Sequence, residues 1–112
     1  MDRRPLALLA VSAISVAALG GQVAASAAAT KTVTLKDIAF SPERLSVARG
    51  TTVTFRWRDG TTTHNVTSTG AKRFKTIPDR TTGTARRKFT KAGVYRYACT
   101  LHPGMTGQIT VR

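Results

Sequence analysis

The sequence is poor in several residue types that usually stabilise a small protein or determine its partners. It contains one cysteine, two histidines and five acidic residues among 112. A single cysteine excludes an intrachain disulfide, so a small domain built from this chain needs another source of stability. An unpaired cysteine in an oxidising compartment also needs an explanation: a buried thiol, an intermolecular bridge or a metal ligand.

The first 29 residues have the three parts of a secretory signal peptide. Asp2–Pro5 is a short basic start, Leu6–Leu19 is an uncharged apolar run, and Ala24–Ala29 supplies the small residues that a signal peptidase reads. Ten of these 29 residues are alanine, whereas all 19 threonines follow the segment. We therefore expect a signal peptide over 1–29 and an exported domain over 30–112, periplasmic or extracellular. An uncleaved N-terminal anchor is the alternative.

The second conspicuous feature is positive charge. The chain has 18 Lys+Arg against 5 Asp+Glu, a formal charge of +13. Residues 30–112 keep 16 basic and 4 acidic side chains, which gives +12 for the expected domain. Such a balance first suggests phosphate backbones, but an exported protein rarely meets DNA. We therefore expect no nucleic-acid partner.

The exported part alternates polar and apolar residues as strands do. Val53, Phe55 and Trp57 share one parity, and no window of about 11 residues shows a helical stripe. About seven to eight short strands joined by Gly, Pro and Asp turns predict an all-β sandwich or barrel. The other alternating runs are Thr32–Lys36, Leu45–Val47, His64–Val66, Arg73–Lys75, Arg87–Phe89, Tyr95–Cys99 and Gln108–Arg112.

Residue types that bind soft metals are concentrated in one segment. Cys99, His102 and Met105 have the spacing C-x2-H-x2-M, and Pro103–Gly104 predicts a turn that lets them converge from one loop. His64 is the only other histidine and the candidate fourth ligand. A thiolate, two imidazoles and a thioether form the His2Cys set with a weak axial methionine that is typical of blue copper. This set suits both Cu(I) and Cu(II), so one-electron transfer needs little rearrangement.

These residues resemble the small cupredoxins of the plastocyanin and amicyanin type, and the ligand loop is similar to the short amicyanin form. The resemblance rests on His64–Val66, Gly93–Met105 and Gly107–Val111, and it extends from Thr32 to Val111. It implies a Greek-key β-sandwich of eight strands with one type 1 copper ion at one end. It also implies a carrier of electrons between larger redox proteins rather than an enzyme.

The resemblance assigns roles to individual residues. His64, Cys99 and His102 would form the trigonal plane of copper ligands, and Met105 would be the long axial contact. Asn65 would join the two ligand loops through Thr100, and the partly exposed ring edge of His102 would be the exit for the electron.

Half of the domain's basic residues lie in the stretch from Lys72 to Lys91. One interpretation is a solvated surface, and the functional one is electrostatic steering toward an acidic redox partner. Association with an anionic envelope surface is a further expectation, and we expect the protein to be a monomer. The basic residues of the stretch are Lys72, Arg73, Lys75, Arg80, Arg86, Arg87, Lys88 and Lys91.

Other functions fit the residue counts less well. A multicopper oxidase or nitrite reductase needs further histidines for a second copper centre, and both histidines of this chain are already assigned. A cysteine–histidine nucleophile would leave Met105 and the second histidine unused, and a thioether is a poor ligand for zinc. Two alternatives stay open: a copper-delivery protein of the cell envelope, and an exported β-sandwich in which the cysteine and histidines are incidental.

Overall fold

The computed structural model describes residues 29–112, and these residues form nine β-strands and no helix. The predicted signal peptide, residues 1–29, lies outside the described residues apart from Ala29. In order, the strands are β1 Thr30–Leu35, β2 Phe40–Ser41, β3 Arg44–Val47, β4 Thr51–Trp57, β5 His64–Thr69, β6 Ile77–Arg80, β7 Thr84–Phe89, β8 Gly93–Ala98 and β9 Thr106–Val111.

The strands form two sheets that pack as a sandwich. One sheet has the order β2-β1-β4-β7 and the other the order β3-β9-β8-β5-β6. The pairs β1–β4 and β3–β9 are parallel, whereas the remaining pairs are antiparallel. The prediction of an all-β sandwich is therefore confirmed, and both sheets are mixed. Within residues 29–112 no helix has the length and apolar character needed to cross a bilayer.

The alternating residues fill the core between the sheets. Val53, Phe55 and Trp57 are at most 4 % exposed, as their shared parity predicts. From the opposite sheet, Tyr95 and Tyr97 face the same core, and the ring of Tyr97 meets that of Phe55 edge to face with 5.5 Å between centroids. These aromatic contacts provide apolar burial without a disulfide.

Three details differ from the expected strand pattern. Phe74 was predicted to lie in a strand, but residues 71–76 form a loop, and the Phe74 amide donates to Ser68 Oγ at 3.1 Å. The structure also adds the two-residue strand β2 and the four-residue strand β6. The Phe74 ring packs into the core against Phe55 and Phe89, so its apolar character reflects burial from a loop.

Candidate metal centre

All four predicted ligand residues lie at one end of the sandwich. β5 and β8 run antiparallel, so the first residue of β5, His64, and the residue after β8, Cys99, come to the same end. His64 is fully buried and Cys99 is 3 % exposed. His102 lies half-buried in the turn between β8 and β9, and Met105 is buried immediately before β9. The structure thus brings together residues that are far apart in the sequence.

Three donor atoms face one another across a small gap. Cys99 Sγ lies 3.7 Å from His64 Nδ1 and 3.5 Å from His102 Nδ1. All three atoms lie within 4.8 Å of one another. In metal sites, metal–nitrogen bonds are about 2.0 Å long and metal–sulfur bonds about 2.3 Å. If two such bonds meet at the metal at an angle of about 120°, the nitrogen and sulfur atoms are roughly 3.7 Å apart. The donor set and its spacing therefore fit a trigonally bound first-row metal ion.

The ligand loop is closed by its own backbone. The Cys99 amide donates to the Met105 carbonyl at 3.0 Å, and the Met105 amide donates to the His102 carbonyl at 3.1 Å. Gly104 has a φ of 88°, a left-handed conformation that glycine adopts without a steric penalty. The predicted turn at Pro103–Gly104 is thus confirmed. It places Cys99, His102 and Met105 on one short, internally bonded loop.

Asp59 is a polar partner of the site, although it was not among the predicted site residues. Its Oδ2 lies 2.8 Å from His64 Nε2 and accepts a hydrogen bond from the Ile38 amide at 3.0 Å. These two hydrogen bonds, the one from Ile38 foremost, lower the pKa of Asp59 to about 2. An ionised carboxylate only accepts hydrogen bonds. A hydrogen bond to this carboxylate requires a proton on His64 Nε2, and the other ring nitrogen, Nδ1, faces Cys99 Sγ.

Asp59 looked like a turn residue because it precedes Gly60 at the end of β4. The informative signal was a carboxylate five residues before His64 in a loop of small polar residues. Such a loop is short enough to fold the carboxylate back onto the imidazole.

The expected link between the two ligand loops is present. Asn65 Nδ2 donates to Thr100 Oγ1 at 2.8 Å, and the Thr100 amide donates to Asn65 Oδ1 at 3.1 Å. Thr67 and Asp79 complete the hydrogen bonding of the Asn65 side chain. Asn65 is 5 % exposed and Thr100 is exposed, so these bonds are partly buried, and they hold the start of β5 against the loop after β8.

Trp57 supports the site from the core side. Its indole Nε1 donates to the His64 carbonyl at 3.0 Å in a buried position. The Arg80 guanidinium carbon lies 5.3 Å from the Trp57 ring centroid, within the range of a cation–π contact. The predicted core residue thus also fixes the backbone of His64.

Comparison with known proteins links this architecture to copper. Residues 6–111 match the family model described as the Cupredoxin-like domain. A search of curated proteins found no match to the sequence.

Solved structures with the same architecture include several copper proteins. A purple cupredoxin from Nitrosopumilus maritimus is 26 % identical, with a TM-score of 0.66, covering 73 % of this chain and 99 % of that one. The Cu(I) form of an amicyanin variant with a methionine-to-glutamine substitution is 30 % identical, with a TM-score of 0.67, over 80 % of this chain and 89 % of that one. A copper-containing nitrite reductase from Thermus scotoductus SA-01 is also 30 % identical, with a TM-score of 0.67, over 74 % of this chain but 22 % of the reductase.

Together, the family match and the His64, Cys99, His102 and Met105 arrangement support one type 1 copper ion as the cofactor.

Proposed function

The chain belongs to the cupredoxin-like domain family, and on that premise we propose that it is a one-electron carrier that binds a single copper ion. His64, Cys99 and His102 would supply the trigonal ligands and Met105 the weak axial one. The observation that carries the proposal is the meeting of two imidazole nitrogens and one cysteine sulfur within 4.8 Å. When bound, copper supplies one-electron exchange between Cu(I) and Cu(II).

The contribution of the chain is to hold the donor atoms in place. His64 is fixed by hydrogen bonds to Asp59 and Trp57, at its ring and its carbonyl respectively. The loop that carries the other three ligands is closed by its own backbone and held to β5 through Asn65. Nitrogen and softer sulfur donors together suit both Cu(I) and Cu(II). Because the chain holds these donors in place, the gain or loss of one electron by the copper ion would require little movement of the protein.

His102 gives the site its access to partners. It is half-buried, whereas His64, Cys99 and Met105 are buried. Beside it, Leu101 is 46 % exposed and offers an apolar contact surface. We propose that a redox partner docks over this loop and exchanges the electron through the ring of His102.

The predicted basic stretch extends from one end of the sandwich to the other and is here named the basic flank (Lys72, Arg73, Lys75, Arg80, Arg86, Arg87, Lys88 and Lys91). It includes residues of β6 and β7, which are edge strands of the two sheets, and Arg87 Nε donates to the Lys75 carbonyl at 2.7 Å. Arg80 lies beside the first residue of β5, at the metal end. Lys72 packs on Gly93 at the opposite end.

The charge of the basic flank supports a steering role. Within residues 29–112 no lysine or arginine lies within 4.0 Å of a carboxylate. These cations are therefore not neutralised by ion pairs in the described part of the chain, and they create a positive potential along one side of the molecule. We propose that this potential attracts acidic redox partners to an exported, monomeric carrier and that the chain has no enzymatic activity of its own.

Retention of copper through redox cycles tests this function. The protein is loaded with Cu(II), reduced, and exposed to bathocuproine disulfonate, a chelator that captures Cu(I). It is then reoxidised in the presence of EDTA, a chelator that captures Cu(II). An electron carrier keeps its copper in both states and takes up one electron per copper in each cycle. Rapid transfer of copper to either chelator would instead indicate a copper-delivery protein.

A further inference from the structure

Asp59 makes an unusual pair of contacts for a loop carboxylate. A single oxygen, Oδ2, accepts hydrogen bonds from His64 Nε2 at 2.8 Å and from the Ile38 amide at 3.0 Å. The side chain is only 16 % exposed. Within residues 29–112 no lysine or arginine lies within 4.0 Å of it. Its negative charge is therefore directed at the imidazole of His64 and is not paired with a lysine or arginine among the described residues.

The donor on the other side of Asp59 comes from a strained turn. The segment Lys36–Ala39 connects β1 and β2, and its end residues exchange two backbone hydrogen bonds of 3.1 Å. Its central residues, Asp37 and Ile38, both have a φ of 53°. A β-branched residue rarely adopts this left-handed conformation, and Ile38 is 50 % exposed, so core packing does not account for it. A two-residue hairpin turn of type I′ requires positive φ at both central positions, and this turn directs the Ile38 amide at Asp59.

From these contacts we propose that Asp59 is a positioning residue for the metal centre, clamped by the Lys36–Ala39 turn, that fixes the orientation of His64 and lowers the reduction potential of the site. This inference rests on the proposed function, because it assumes that His64 binds copper through Nδ1.

Two physical effects support the assignment. A carboxylate that accepts the Nε2 proton holds the ring in one tautomer and leaves the Nδ1 lone pair facing Cys99, where the metal would lie. The same hydrogen bond makes the imidazole a stronger electron donor, and the nearby negative charge favours the ion of higher charge, Cu(II), over Cu(I). Both effects act through His64, since Asp59 itself does not contact the metal position.

Two substitutions separate orientation from charge. Asp59→Asn removes the charge but keeps an oxygen that can accept the His64 proton, whereas Asp59→Ala removes both. Glu43→Gln is the matched control, because it removes one negative charge from an exposed residue that is not a proposed ligand. Side-chain ¹⁵N shifts of the copper-free protein report the tautomer of His64. Redox titration of the copper-loaded protein reports the potential.

We expect His64 to be protonated at Nε2 in the wild-type and Asp59→Asn proteins and to show mixed tautomers in Asp59→Ala. We also expect Asp59→Asn to lower Cu(II) affinity relative to Cu(I) by about tenfold, which is a rise of about 59 mV for one electron, with no such rise in Glu43→Gln. A wild-type His64 protonated at Nδ1 would overturn the proposal, as would equal potentials in wild-type and Asp59→Asn proteins.

A different result would contradict the proposed function, independently of the role of Asp59. A wild-type protein that does not form an intensely coloured Cu(II) site would contradict copper binding through Cys99. The tautomer comparison would still decide whether Asp59 positions His64, because it is made without copper.

Discussion

Tyr97 shows how a single polar atom is tolerated in the core that supports the metal centre. Its ring is 1 % exposed and packs edge to face with Phe40, with 4.8 Å between ring centroids. Its hydroxyl has no hydrogen-bond partner among the described residues. Burial, and secondarily the charge of Glu43, raises the pKa of the phenol. A β-carbon at Gly107 would overlap the Tyr97 ring, so glycine makes the close approach of β9 possible.

We predict that Tyr97→Phe stabilises the protein. Removing a buried hydroxyl without a partner relieves its desolvation cost and keeps the ring in place, so we expect the free energy of unfolding to rise by about 1 kcal/mol. Urea unfolding of the copper-free protein measures this change, with Tyr95→Phe as the matched control. The Tyr95 hydroxyl donates to the Lys91 carbonyl at 2.8 Å, so its removal is expected to destabilise. Loss of stability in Tyr97→Phe would show that the hydroxyl has a partner.

At the level of single residues, the sequence identified the candidate ligands because cysteine, histidine and methionine are scarce in this chain and three of them share one segment. The contacts of Asp59 and Asn65, in contrast, could not be identified from the scarcity or spacing of residue types. The role of Asn65 came from family resemblance and is confirmed by its hydrogen bonds to Thr100. The contact of Asp59 with Ile38 joins residues 21 positions apart, and local patterns carry no information about such a pair.

Among the elements, the hydrogen bonds of Asn65 connect the start of β5 to the loop after β8. We predict that Asn65→Ala lowers the free energy of unfolding by about 2–3 kcal/mol, because it removes two bonds between these elements and leaves the Thr100 amide without its acceptor. Thermal or urea unfolding measures the loss. Thr67→Val is the matched control, because it removes one bond to the same side chain but leaves the link intact. Equal losses in the two variants would contradict the importance of the link.

Strand prediction succeeded where polar and apolar residues alternate and failed where they do not. β4 has seven residues with a clear buried face, and its parity alone predicted the core. β2 has two residues, and β6 has four of which only the first is buried, so neither shows an alternating pattern. These strands form because neighbouring strands have backbone groups available for pairing at the edge of the sheet. That availability depends on the folded sheet and not on the local sequence. Phe74 was misassigned because an aromatic residue that packs inward from a loop resembles one on a strand.

On the scale of the whole molecule, the basic flank runs from the metal end to the opposite end of the sandwich. Part of its charge also lies on β7, an edge strand with Arg86, Arg87 and Lys88 in sequence. Charged side chains on an edge strand oppose edge-to-edge pairing with another chain. The positive charge that first suggested nucleic acid therefore opposes pairing at the sheet edge, and we propose that it also attracts acidic partners.

Salt dependence tests the steering role of the flank. We predict that oxidation of the reduced protein by the anion ferricyanide slows as ionic strength rises, because salt screens the attraction. Replacing Lys75 and Lys88 by glutamate should lower the low-salt rate by about tenfold. The matched control places the same two charge reversals at Arg44 and Arg96, which lie outside the basic flank. Equal effects of the two pairs would show that net charge alone, rather than the flank, steers association.

The visible spectrum of the copper-loaded protein tests the central claim most directly. If Cys99 binds Cu(II) as a thiolate together with His64 and His102, the wild-type protein turns intensely blue on addition of one equivalent of Cu(II). Cys99→Ser, which keeps the size of the side chain but removes the sulfur, then stays nearly colourless. A colourless wild-type complex, or a Cys99→Ser protein with the same intense colour, would contradict the assignment of a type 1 copper site.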